Sequence, residues 1–223
     1  MWHLYQFPLC PFSRKVRLAL AEKGIACELK RASPWLQDDD FADLNPAGQT
    51  PVLVEESKGI VLIDSIAICE YFEETVDKAP MIPGTSLNRA EVRRLVQWFD
   101  GKLHHDVVAP LMEERMRKRL VARAAPDTSV LRKAMTAANG HLDYLDYLLD
   151  HRRWLAGPAL TLADLAAAAQ LSVADYLGGL DWRGHKQTAD WYAVMKSRPT
   201  FRPLLAERME VIQPPAHYDK VDF

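Results

Sequence analysis

Pro8-Leu9-Cys10-Pro11-Phe12-Ser13 joins an extended, aromatic-rich run, Trp2 to Phe7, to a basic amphipathic stretch, Phe12 to Lys23. The prolines punctuate the end of a strand. Phe12, Val16 and Leu20 then fall on one helical face, with Arg14, Lys15 and Arg17 expected outward. Gly24 follows as a helix-terminating residue. Outward from this junction, Ile25 to Lys30 reads as a second strand and Trp35 to Leu44 as a short helix. Pro51 to Glu55 and Ile60 to Ile63 form a hairpin around Ser57-Lys58-Gly59, and Ser65 to Val76 is a helix. The order β-α-β-α-β-β-α marks a mixed α/β unit over residues 1–78. Residues 79–85, rich in proline and glycine, read as a linker.

No strand pattern follows. Val92, Leu95, Val96, Phe99 and Leu103 are spaced as one helix face, and Leu131, Met135, Ala138, Leu142, Leu145 and Leu149 repeat the pattern. Gly101 inside the first of these helices costs about 1 kcal/mol relative to alanine, so a close approach is expected there, by a packed helix or at a cleft wall. Thr161-Leu162-Ala163-Asp164 is a capping arrangement ahead of an almost wholly apolar helix. The expected layout is therefore an all-helical domain over 86–211 and an extended tail over 212–223, because Pro214-Pro215 cannot continue a helix.

Composition narrows the classes. The 223 residues are 48% hydrophobic with a formal charge of -2, so a real core is available and no global field favours nucleic acid or an anionic membrane. The longest apolar run, Leu160 to Val173, is interrupted by Asp164 and too short to insert in a bilayer. Three cysteines, Cys10, Cys27 and Cys69, fit neither a disulfide framework nor a metal site, and a reducing cytoplasmic setting is expected.

Cys10 ahead of a helix with basic residues has free amides and a positive dipole end nearby, a setting that stabilises a thiolate. Read alone it is first of all a small packed hydrophobe. Asp64-Ser65 at another helix start reads as a cap or as a clamp for an α-amino-acid end. Arg115, Arg119 and Arg123 recur every fourth residue, with Glu113 and Glu114 placed to pair with Arg117 and Lys118. That stretch is a salt-bridged solvated face or a docking stripe for an acidic partner or anion. Tyr218 and Phe223 make the tail either a segment folded back on its domain or an exposed partner-binding peptide.

Pro8 to Ser13, Asn45-Pro46-Ala47-Gly48-Gln49-Thr50-Pro51-Val52-Leu53, Asp64-Ser65 and Thr161 to Asp164, in this order, resemble the glutathione transferase superfamily over nearly the whole chain. The resemblance implies a thioredoxin-like domain followed by an all-α domain, and a homodimer joined through Ile68 to Phe72 and the Val92 to Leu103 helix. It implies a cis Pro51, with Thr50 backbone groups facing a glutathione cysteinyl unit, and Cys10 where mixed disulfides form. Phe12, Trp35, Asp64 and Ser65 complete its glutathione-site candidates. Glutathione is then a ligand or cosubstrate rather than a required cofactor, and no metal is expected.

A narrower resemblance rests on Pro11 to Leu18, Val92 to Lys102, His141 to Leu145, Arg153 to Gly157, Lys196 to Pro199 and the Pro214 to Tyr218 tail. These look like a branch of transferase-fold division factors of alphaproteobacteria. That branch implies little or no catalysis, binding to FtsZ polymers with promotion of filament curvature and constriction, and recruitment from the cytoplasm to the division site. Arg115, Arg119, Arg123, Tyr218 and Phe223 are the partner-binding candidates. Serine is expected at the position of Cys10 in that branch, so this cysteine keeps a second reading open: a glutathione-dependent transferase or thiol reductase.

Overall fold

A computed structural model describes residues 1–35 and 39–221, with backbone alone at 39 and 40. The chain divides into two units, Met1–Met81 and Ile82–Phe223. The first contains β1 (Trp2–Gln6), α1 (Pro11–Lys23), β2 (Cys27–Arg31), α2 (Asp39–Leu44), β3 (Val52–Glu55), β4 (Ile60–Ile63) and α3 (Ser65–Thr75). The sheet runs β2-β1-β3-β4, with β1 parallel to β2 and antiparallel to β3, and β3 antiparallel to β4. Alternation along the strands sorts the two faces. Tyr5, Val52 and Val54 join Ala32, Phe41 and Leu44 on one side. On the other side Trp2 meets Phe72 of α3 edge-on at 5.3 Å.

The expected strands and helices recur with ends shifted by a residue or two, except that α2 begins at Asp39 where a helix was expected from Trp35, which lies in a turn, with 36–38 outside the described residues. Gly24 ends α1 at φ 72°, its N–H reaching the Ala21 and Leu20 carbonyls. One expectation fails: Arg14 and Lys15 are fully buried, not outward. Arg14 turns back so that Nε donates to the Pro8 carbonyl at 2.8 Å, and the long apolar stems of such residues pack while the head finds acceptors. At the far end of α1, buried Lys23 donates to the Val76 carbonyl at 3.0 Å and lies 3.2 Å from Glu73, fixing the chain as it leaves α3.

The second unit is helical: α4 (Ser86–Gln97), α5 (Ala109–Met112), α6 (Thr128–Leu149), α7 (Leu162–Tyr176), α8 (Lys186–Ser197) and α9 (Arg202–Ala206). Between them, Trp98–Val108 and Glu113–Ala122 are wound more widely, as π-helix, with Ala109 N donating to His104 O and Arg123 N to Lys118 O. The 3.6-residue spacing read from the sequence holds for α4 and α6 but not for these wider turns. The close approach at Gly101 comes from Gln97 of the preceding turn, whose Nε2 would lie 2.8 Å from an added Cβ. Every residue of α7 is buried, as its composition implies. Its cap is built on Asp164: Oδ2 accepts from Thr161 N and Oγ1, both at 2.9 Å, and Oδ1 accepts from Leu155 N at 2.9 Å and Trp191 Nε1 at 3.2 Å.

The tail is not a free extended segment. It bends through a turn in which Tyr218 N donates to Pro215 O at 3.0 Å, and it packs onto the helical unit. Tyr218 is fully buried and meets Tyr176 edge-on at 5.1 Å. Tyr176 in turn donates its hydroxyl to Ile212 O at 2.7 Å. Asp175 Oδ1 sits 2.9 Å from His217 Nε2 and accepts from Trp182 Nε1 at 3.2 Å. Arg208 pairs with Asp219 at 2.8 Å. Two adjacent prolines prevent helix but leave burial free, and a tyrosine buries a large apolar area once its hydroxyl finds an acceptor.

Candidate functional site

Two hollows collect most of the residues that the sequence singled out, one in each unit. In the first unit, Phe12, Thr50, Pro51, Asp64 and Ser65 line a cavity of about 140 Å³ together with Asn45, Ala47, Gln49 and Ile63. The 45–49 turn shapes one wall: Asn45 Nδ2 donates to Gln49 O at 2.8 Å, Ala47 N donates to Asn45 Oδ1 at 3.1 Å, and Gly48 takes φ 62°. The Thr50–Pro51 peptide is cis. Cys10 caps α1 just behind the wall and its thiol donates to Thr50 O at 3.4 Å. A thiol is a weak donor, so this contact can be exchanged for a stronger one. Thr50 Oγ1 is buried without a hydrogen-bond partner.

Asp64 stands at φ 78°, in the left-handed region, and its Oδ1 accepts from Ile66 N at 2.6 Å and Ala67 N at 3.4 Å. It therefore caps α3 while exposing a carboxylate at the cavity rim, so cap and clamp are compatible roles. Trp35 does not join this cavity; its ring packs edge-on against Phe7 at 5.0 Å. Asn45, Ala47, Gln49 and Ile63 are the lining residues that sequence reasoning did not select, although the Asn-Pro-Ala-Gly-Gln turn that carries three of them was on view. Among the described residues, no group of three or more His, Cys, Asp or Glu side chains is placed to hold a metal ion.

In the helical unit, Arg115 and Arg119 line a larger hollow of about 570 Å³ with Leu177, Gly178 and the tail residues Ile212 to Pro215. Arg115 Nη1 donates to the Leu177 carbonyl. Burial lowers the proton affinity of its guanidinium. Arg119 is exposed and free of hydrogen bonds and ion pairs among the described residues. The anticipated pairs form beside it, Arg117 with Glu113 at 2.5 Å and Lys118 with Glu114 at 2.7 Å. Arg123 leaves the stripe, because it ends its helix at φ 48° and does not line the hollow. Tyr218 is no surface anchor, since its ring is consumed by the packing against Tyr176. Phe223 lies outside the described residues.

The N-terminal domain profile of the glutathione S-transferases matches residues 4–80, and their C-terminal domain profile matches residues 102–199. The chain belongs to the glutathione S-transferase superfamily. Within that superfamily it is 45% identical over 222 residues to FtsZ-localized protein A of Caulobacter vibrioides (strain NA1000 / CB15N), covering 99% of this chain and 97% of the relative. The structure of FzlA from C. crescentus matches with a TM-score of 0.96 at 44% identity, over 100% of this chain and 99% of that one. A glutathione S-transferase from Rhodospirillum rubrum F11 matches with a TM-score of 0.96 at 46% identity over the whole of both chains. Among the described residues no helix is long and apolar enough to cross a membrane.

Proposed function

We propose that this chain is a transferase-fold cell-division factor that binds FtsZ polymers and promotes filament curvature and constriction. The observation that carries the reading is the 45% identity, over 99% of the chain, to FtsZ-localized protein A. The protein acts as a homodimer, recruited from the cytoplasm to the division site, and its binding to FtsZ does not depend on catalysis. Arg119 is the favoured contact: it is exposed, has no hydrogen bond or ion pair among the described residues, and offers a forked donor to an acidic surface. Arg115 is second, because part of its guanidinium is already spent on Leu177.

Cosedimentation tests the reading. The full chain pellets with GTP-assembled FtsZ and stays in the supernatant without polymers, and Arg119→Glu weakens pelleting. Absence of pelleting by the unaltered protein overturns the proposal. Removing the residues after Ile212 is a poor substitute for this test, since it strips Tyr218 from the core of the helical unit.

A second reading is favoured by one specific observation: Thr50 and Pro51 line a cavity whose walls also carry Asp64 and Ser65, and the Cys10 thiol contacts Thr50 O. Glutathione occupies that cavity as a ligand or cosubstrate, its thiol meeting Cys10 and the Thr50 backbone. Calorimetric titration shows saturable binding at millimolar glutathione that Asp64→Asn weakens. A flat titration removes this reading and leaves the first untouched.

A further inference from the structure

We propose that the outer face of α6 pairs with the same face of a second copy of this chain, the two helices running antiparallel about a two-fold placed at Asn139 and Gly140. The face is a stripe at three- and four-residue spacing: Arg132, Thr136, Gly140, Asp143, Tyr147 and, at the C-cap, Asp150, all of them exposed. Three features of it serve nothing within one chain. Gly140 sits inside a 22-residue helix, where glycine is costly, yet a Cβ there would meet nothing within 4 Å among the described residues. No neighbour in the fold requires it, whereas a second helix crossing closely at that point would. Tyr147 leaves 67% of its surface in water. Arg132 and Lys133 have no hydrogen bond or ion pair among the described residues.

The charges divide along the helix. Arg132 and Lys133 lie in its N-terminal half, Asp143 and Asp150 in its C-terminal half. Asp143 is 3.7 Å from His185, which is already held by Asp146 at 2.9 Å. Asp150 lies 3.7 Å from exposed His151 and stands at a helix end that favours a cation. A helix charged in this way is complementary to its own antiparallel copy. With the two-fold at Asn139 and Gly140, Arg132 faces the second copy's Tyr147, with Asp143 and Asp150 of that copy one turn to either side. The guanidinium thus gains an aromatic face and two carboxylates. The ring gains a seat as well, because Arg132 is one wall of a hollow of about 440 Å³ whose apolar lining includes Leu131 and Met135. Asp181 also lines it, but is paired with Arg183 at 2.6 Å and leaves Arg132 unmatched. Since both copies use one patch, every contact occurs twice. The pairing involves neither Ile68 to Phe72 nor the Val92 to Leu103 helix, so it joins homodimers formed through those segments into larger assemblies.

The inference goes beyond the division reading, and its test contains no FtsZ, so either stands or fails without the other. Sedimentation velocity of the full chain at rising concentration and low salt is expected to show reversible association that weakens as salt screens the exposed charges. Gly140→Gln abolishes that association with a melting temperature equal to the parent's or higher, because a side chain at 140 meets nothing in its own fold. Arg132→Asp weakens it by roughly tenfold or more, the worth of one charge-assisted contact. Mixing that variant with the Asp143→Arg, Asp150→Arg chain restores it. Any association through other segments persists in all of these proteins, so the readout is the difference from the parent. Identical assembly of the parent and Gly140→Gln overturns the proposal. So does a loss with Arg132→Asp that the charge-reversed chain does not restore, which would assign Arg132 to an acidic partner other than this chain.

Discussion

Gly178 and Glu91 show how much a single position decides. Gly178 combines a left-handed backbone with two neighbours inside or near contact distance of any Cβ. Gly178→Ala is expected to destabilise the helical unit by about 1–2 kcal/mol, read as a lower urea midpoint at unchanged slope. Glu91 accepts from Arg94 Nε at 2.8 Å and from Arg152 Nη1 at 2.8 Å, and these guanidinium groups hold its carboxyl down to about 2. A carboxylate whose folded-state value is depressed stabilises the fold above its unfolded value near 4.5 and loses that contribution as pH falls toward about 2. With solvent screening the amount is about 1 kcal/mol. Glu91→Gln should therefore be less stable than the parent at neutral pH and converge with it near pH 2, as thermal melts across that range will show. At this scale the sequence was legible where chemistry is local. Cys10, Thr50-Pro51 and Asp64-Ser65 are read from neighbours along the chain, and the structure places Thr50, Pro51, Asp64 and Ser65 around one cavity with Cys10 behind its wall. Arg14 and Lys15 were misread because helical spacing assigns a face but not what packs against it, and Trp35 packs against Phe7 without lining the cavity.

At the scale of elements, α7 depends on one carboxylate. Asp164 is fully buried, burial raises its pKa, and four donors hold it in place. Asp164→Ala leaves Leu155 N, Thr161 and Trp191 Nε1 without their acceptor and is expected to cost about 3–5 kcal/mol, measured by chemical denaturation. The cap was legible because Thr161 and Asp164 are three residues apart. The π-wound stretches were not: Val92, Leu95, Val96, Phe99 and Leu103 satisfy α-helical spacing well enough to conceal the change after Gln97. What accompanies it is tertiary. Gln170 of α7 donates to Asp100 Oδ1 at 3.2 Å and meets His104 Nδ1 at 3.1 Å, a polar link that no local pattern announces. The arginine stripe shares this limit, since Arg123 turns off the helix that its spacing had assigned to it.

For the molecule as a whole, the order of α/β unit and helical unit was readable from periodicity, because a switch from period-2 runs to long helical spacing survives any error in single ends. The fate of the tail was not, because two prolines state only that a helix stops. Its burial carries a prediction: Tyr218→Ala should destabilise the helical unit by about 3 kcal/mol, within the usual range for losing a buried aromatic, and should lower its melting temperature. Tyr218→Phe should cost much less, since the hydroxyl contact to Leu204 O, at 3.5 Å, is long. The buried carboxylate of Asp175 has a further meaning. Its partners come from two places, Trp182 close by in sequence and His217 in the tail, and its Oδ2 has none. Losing the imidazole alone leaves the buried carboxylate with Trp182 Nε1 and the charge of Lys196 but without its contact from the tail, whereas replacing both side chains with apolar ones removes that unmet need at the same time. Positions 175 and 217 therefore behave as one locus under mutation. A change tolerated at either depends on which change came first at the other, so the histories of α7 and the tail are bound together.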